Sequence, residues 1–192
     1  MPLSKPKSRE HLHTRSISYQ GFKRDDGLWD IEGHLIDIKT YSIDNSWRNK
    51  ILSGEPIHEM LIRVTIDENF LIKDIEASTE NSPFEICPNI TPNYKSLIGI
   101  VMGAGWRQKI RQKVGGVAGC THITELLFPM ATVAIQTMGP FKANANKNRI
   151  ALTDESNSKR PFVLNTCHAW STDSIVVKEH EPDFYTGDDA KN

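Results

Sequence analysis

The feature that most constrains this 192-residue chain is a pair of β-branched runs around a short acidic turn. His58 to Ile66 (HEMLIRVTI) and Phe70 to Ala77 (FLIKDIEA) flank Asp67-Glu68-Asn69, a pattern that predicts a β-hairpin. Two further strand candidates precede it, His13 to Phe22 and Leu28 to Tyr41 (LWDIEGHLIDIKTY). They are joined by Lys23-Arg24-Asp25-Asp26-Gly27, where Asp-Gly favours a tight reversal. Ser42 to Gly54 reads as a polar loop.

The pattern changes after this hairpin. Asn81 to Asn93, with three prolines and Cys87, reads as a loop. Thr91 before Pro92 suits the start of a helix running to about Met102, where Gly103-Ala104-Gly105 breaks it. Trp106 to Val114 is a second helical piece, ended by Gly115-Gly116. A longer helix is expected over Thr121 to Met138, kinked near Pro129 and stopped by Gly139-Pro140. Lys142 to Arg160 is loop-like, Pro161 to Asn165 suits a short strand, and Ser171 or Thr172 would cap a last helix reaching about His180. Strands first and helices later predict an α+β fold, an antiparallel sheet of N-terminal hairpins with helices packed on one face. The expected boundaries are a flexible lead-in over 1–12, a single domain over 13–180 and a loose tail over 181–192.

A net charge of -1 gives no overall pull towards nucleic acid or an anionic membrane, so neither is expected as a partner. A local basic patch, a protein partner or a small-molecule substrate stays open. Met1 to Arg15 is polar and basic, without the apolar run of a signal peptide. Leu126 to Met138 is interrupted by Pro129 and is much shorter than the roughly 20 residues of a spanning helix. Three well-separated cysteines, an odd count, point to reduced thiols and a cytoplasmic protein.

The residues most suited to chemistry lie in the turn Gly119-Cys120-Thr121-His122. Cys120 follows a glycine-rich stretch at a helix start, where free N–H groups and the helix dipole favour an anion and so suit a thiolate. His122 can serve as a metal ligand or proton carrier, and Glu125 lies one turn away. Cys167-His168 stands between a strand and a helix, and Cys87 in a proline-rich loop. Thiolate, imidazole and carboxylate together suit zinc or an iron–sulfur cluster, although no close C-x-x-C spacing is present. Strand periodicity puts Asp30, Glu32 and His34 on one face, which suits a solvated face of an antiparallel sheet better than a metal or acid–base site. Asp37 falls on the opposite face with Trp29, Ile31 and Leu35. If that face is the core, Asp37 needs a partner such as Arg15 or Arg63. The basic run Arg107 to Lys113 beside Trp106 suits a solvated helix face better than a phosphate site. No phosphate-binding loop, dinucleotide fingerprint, nucleophile elbow or H-E-x-x-H motif occurs.

Three segments carry a family resemblance: Arg24 to Leu35 (RDDGLWDIEGHL), Gly116 to His122 (GVAGCTH) and Thr166 to Ala169 (TCHA). They resemble a bacterial domain family of unknown function across nearly the whole chain, a likeness that implies no activity. The element order is also similar to that of iron–sulfur scaffold proteins of the NifU and IscU type. That likeness implies that Cys120 and Cys167 match the family's second and third cysteines. His58 stands where its first cysteine would precede the hairpin, and Cys87 comes after it. His168 follows its cysteine, whereas the family's histidine precedes it.

These features support a metal- or cluster-binding domain with His58, Cys120 and Cys167 as ligands, completed by Cys87, His122 or His168. They also fit an enzyme using Cys120 as nucleophile and His122 or His168 as base, acting on a phosphate-bearing or acyl-coenzyme A substrate. A non-catalytic interaction module whose cysteines only pack is the third reading.

Overall fold

The computed structural model describes residues 3–150, 160–161 and 163–188, with backbone alone at 140 and 142–150. Its contacts divide the chain into two compact units, Met1–Asn144 and Ala145–Asn192.

In the first unit, β1 (His13–Lys23), β2 (Trp29–Lys39), β5 (Pro56–Ile66) and β6 (Ile72–Asn81) form one four-stranded sheet. Its order is β1-β2-β5-β6, and every pairing is antiparallel. The predicted hairpins and the α+β class hold. Alternation along β2 sends Trp29, Ile31, Leu35 and Asp37 to the buried side and Asp30, Glu32 and His34 to the other. Met60, Ile62, Val64 and Ile66 continue the buried face on β5.

A small hairpin, β3 (Ile43–Asn45) and β4 (Asn49–Ile51), occupies the stretch expected to be a loop. The Asn45 side chain accepts from the backbone N–H groups of Trp47 and Arg48, at 3.1 and 2.7 Å. Asn49 adopts a left-handed φ of 61°, which asparagine tolerates better than most residues. So few apolar residues lie here that the turn, rather than a hydrophobic period, defines the strands.

The helical layer departs from expectation at two places. A 3-10 segment, Cys87–Leu97, begins before Pro92 and ends early. The residues after it extend along the start of β6: Ile72 N–H donates to the Ile100 carbonyl, and Gly99 N–H to the Ile72 carbonyl. Sheet-edge hydrogen bonds therefore replace the helix expected up to Met102. Next, α1 (Trp106–Val114) matches its predicted bounds. Helix α2 (Thr121–Ile150) runs through Gly139-Pro140 instead of stopping there. Phe141, just beyond the proline, meets the Trp29 ring edge-on at 5.2 Å. That contact and the buried Met138 reward continuation past a residue that costs about 3 kcal/mol in a helix interior.

Ile123, Leu126, Leu127, Met130, Ala134 and Met138 of α2 pack in one core with the sheet and with Trp106, Ile110 and Val114 of α1. Trp106 Nε1 donates to the Leu127 carbonyl at 2.9 Å, which satisfies the indole inside that core. Close approach of α2 to β1 needs Gly21, where a Cβ would lie 1.9 Å from Thr137 Oγ1. Gly21→Ala is expected to lower stability by about 1–3 kcal/mol through overpacking. Thr137→Ala should recover part of that loss. Urea unfolding checks it, and an unchanged midpoint for Gly21→Ala would contradict this packing.

In the second unit, α3 (Ile175–His180) is capped by Ser174, whose Oγ accepts from Val177 N–H at 3.2 Å. The cap is therefore Ser174 rather than Ser171 or Thr172. Val163 to Asn165 form a turn where a strand was expected, with Asn165 at a φ of 60°. The Asn165 N–H donates to the Trp170 carbonyl at 2.7 Å, so the chain reverses instead of extending. Phe162, also in that expected strand, lies outside the described residues.

Candidate metal centre

Strand register assembles the site. Arg15 on β1 stands opposite Asp37 on β2, and Asp37 stands opposite His58 on β5. All three share the face that α2 covers, and the first turn of α2 adds His122. Four elements thus bring four polar side chains to one end of the core.

Asp37 is 3% exposed, so its charge must be compensated. Arg15 Nε and Nη2 donate to its two carboxylate oxygens, each at 2.8 Å, a bidentate fork. Arg15 Nη1 reaches Glu125 Oε2 at 2.8 Å, tying β1 to α2. His13 Nε2 lies 3.0 Å from Asp37 Oδ1. Burial alone would raise the Asp37 pKa, but the hydrogen bonds and charge of Arg15, followed by His13, outweigh it and hold the carboxyl below its usual range. Arg63, the other candidate partner, instead pairs with Glu32 and Glu76 on the opposite face.

Two imidazoles converge on the remaining side of the carboxylate. His58 Nδ1 is 3.2 Å from Asp37 Oδ2, and His122 Nε2 is 3.6 Å from the same oxygen. Their rings stack with centroids 3.8 Å apart and an interplanar angle of 28°. Burial pushes the His58 pKa down to about 4, helped by the neighbouring His122. Burial also lowers His122, helped by Arg15. Both imidazoles are therefore neutral at pH 7, the state that coordinates a metal. Among the described residues, the donor atoms of Asp37, His58 and His122 all lie within 4.8 Å of one another.

Cys120 sits behind His122. Its carbonyl accepts the first bond of α2, from Thr124 N–H at 2.9 Å, so it occupies the expected helix start. Its Sγ lies 3.8 Å from His122 Nδ1, on the far side of the ring from Asp37. The turn is fixed from below by the buried Tyr94, whose hydroxyl accepts from Cys120 N–H at 2.9 Å. The same oxygen is 2.9 Å from both the Cys120 carbonyl and Thr124 Oγ1. Burial pushes the Tyr94 pKa up to about 12, so this anchor stays protonated.

The sequence-selected residues are thus partly gathered. His58, His122 and Cys120 meet around Asp37, which the sequence marked only as a buried acid needing a partner. Cys87 begins the 3-10 segment and is not a member of the three-donor cluster. Cys167 and His168 belong to the second unit, where His168 opens a 3-10 turn, His168–Trp170. Asp30, Glu32 and His34 are engaged in cross-strand pairs, with Thr65, Arg63 and Glu59 respectively.

Removing the Arg15 fork leaves Asp37 buried with only imidazole neighbours. Breaking a buried pair costs about 3–5 kcal/mol. Because Arg15 is a third exposed and water can partly replace it, Arg15→Met is expected to cost about 2 kcal/mol. Denaturant unfolding measures this, and a loss below about 0.5 kcal/mol would show the fork to be dispensable.

Fold and site together define an α+β domain with a buried carboxylate and two stacked, neutral histidines at one end of its sheet. The chain matches the family described as a protein of unknown function (DUF2889) over residues 13–136, and it belongs to that family. The matched span contains His13, Arg15, Asp37, His58, Cys120, His122 and Glu125, and ends before Cys167. No curated protein and no solved structure matches the chain. Among the described residues, no helix is long and apolar enough to cross a membrane.

Proposed function

We propose that Asp37, His58 and His122 bind one divalent transition-metal ion, with zinc the first candidate. The observation that carries this reading is the convergence of two imidazole nitrogens, from a strand and a helix, on one oxygen of a buried carboxylate. Ligands about 2.0–2.1 Å from a tetrahedral zinc stand roughly 3.3 Å apart, close to the 3.2 and 3.6 Å separations here. Arg15 and His13 would act as outer partners of the carboxylate, and Cys120 as the outer partner of His122. With three protein ligands, an ion keeps a position open for water or substrate, as catalytic rather than closed structural sites do. The donors are oxygen and nitrogen, which suits a single hard or borderline ion better than an iron–sulfur cluster held by thiolates.

Metal analysis of the purified protein and a cobalt(II) titration of chelator-stripped protein test the proposal. One equivalent bound with visible d–d absorption is expected. A saturating metal, at a hundred times its dissociation constant, should also stabilise the fold by about 2.7 kcal/mol. Failure of zinc and cobalt to bind at micromolar concentration would remove the reading.

A second reading rests on the alignment of Cys120 Sγ, His122 and Asp37, with contacts of 3.8 Å to Nδ1 and 3.6 Å from Nε2. This is the order of a thiol nucleophile, its base and an orienting acid. Alkylation of metal-free protein by iodoacetamide separates the two. A Cys120 rate that falls at least tenfold in His122→Ala, in protein that binds no metal, favours the nucleophile.

A further inference from the structure

From Cys87 to Thr124 the chain contains no Asp or Glu, yet it carries Lys95, Arg107, Lys109, Arg111 and Lys113. The near-zero net charge of the whole chain therefore hides a segregation: the stretch from Cys87 to Thr124, which includes α1, has basic residues and no acidic ones, and the acids lie elsewhere. Among the described residues, none of these five cations pairs with a carboxylate, whereas Arg15, Arg24 and Arg63 all do.

Helix α1 gives this charge a shape. Trp106, Ile110 and Val114 are buried, and the opposite crest carries the exposed Gln108 and Gln112. At 100° per residue, Arg107 and Arg111 fall on one flank of the crest and Lys109 and Lys113 on the other. Each pair is separated by about 6 Å along the axis. Both guanidinium groups also lie over the half-buried ring of Phe128 on α2, at 5.3 and 5.8 Å from its centroid.

We infer that the exposed face of α1, with Phe128, is a docking surface for single-stranded nucleic acid. Two cationic rows supply phosphate contacts, and the guanidinium planes around an aromatic ring offer a sequence-tolerant stacking platform. The crest amides can hydrogen-bond to base edges. A membrane surface fits less well, because the apolar stripe of α1 is already spent in the core and nothing is left to insert. The surface shares no residue with the proposed metal centre, and the inference does not rest on that reading.

Fluorescence anisotropy of the full chain with a labelled mixed-sequence DNA strand of about 20 nucleotides tests this. Binding at low salt is expected to weaken as salt rises, with a log–log slope of roughly 2 to 3 for three or four phosphates neutralised. The double variant R107E/R111E should bind at least tenfold more weakly, while Lys73→Glu on the sheet should bind as the parent does. Circular dichroism confirms that each variant is folded. No anisotropy change at 100-fold excess protein in low salt, or equal binding by R107E/R111E, would overturn the inference. So would equal competition by polyglutamate, or preferential binding to phosphatidylserine vesicles, since either would assign the surface to another polyanion.

Discussion

Alanine in place of His58 or His122 is expected to weaken zinc binding by more than 100-fold, and Asp37→Asn by a similar factor. On the proposed coordination, each alanine deletes one of three protein ligands and Asp37→Asn replaces an anionic oxygen donor by a weak neutral one, so the loss should exceed the 10–100-fold typical of outer partners. Cys120→Ser provides the internal contrast. Its sulfur faces His122 Nδ1, 3.8 Å away, while the nitrogen aimed at Asp37 is Nε2. A serine hydroxyl can still engage Nδ1, so the effect should stay within about tenfold. Competition against a chromophoric chelator gives all four affinities under one condition. The rank order is the decisive result: a loss at Cys120→Ser as large as that at His58→Ala would move the sulfur into direct coordination. Asp37→Asn also removes the charge that holds Arg15, so its stability should be measured alongside its affinity.

The sheet was legible because its strands carry strict alternation and recognisable turns. Asp67-Glu68-Asn69 and Asp26-Gly27 both sit at hairpin reversals between paired strands. What escaped was set by tertiary contact. Helix α2 passes Gly139-Pro140 with Phe141 packed on Trp29, a contact between residues distant in sequence. The residues after Leu97 become a sheet edge because Ile72 offers backbone partners there. The site divides in the same way. Local chemistry selected Cys120 and His122, and element order selected His58. The sequence flagged Asp37 as a buried-face acid and offered Arg15 as its partner, but left it out of the ligand set. Only the register Arg15–Asp37–His58 makes it the centre of the cluster. A charged residue on the apolar face of a strand was the available signal, and it carries more information than a histidine on a polar face.

The neutral histidines should make the metal-free protein acid-labile well above the range where carboxylates titrate. His58 has an ordinary pKa of 6.5 and a folded value of about 4. Between those values the unfolded chain binds a proton at this residue and the folded chain does not, so stability rises with pH across the window. The contribution is therefore complete above about pH 6.5 and is lost progressively down to about pH 4. A shift of that size corresponds to roughly 3 kcal/mol at 1.36 kcal/mol per unit. His122, lowered by burial as well, contributes with the same sign. Asp37 extends the loss to lower pH, since its carboxyl is held below the ordinary range and its contribution disappears as pH falls through the folded value. His58→Gln keeps a polar group beside Asp37 but cannot titrate. Urea midpoints between pH 7 and pH 4.5 should fall less steeply in that variant, with His122 supplying the residual slope. Equal slopes in the two proteins would mean that His58 is protonated as readily in the fold as outside it. Zinc should steepen the parent's dependence further, because protons and metal compete for the same imidazole nitrogens.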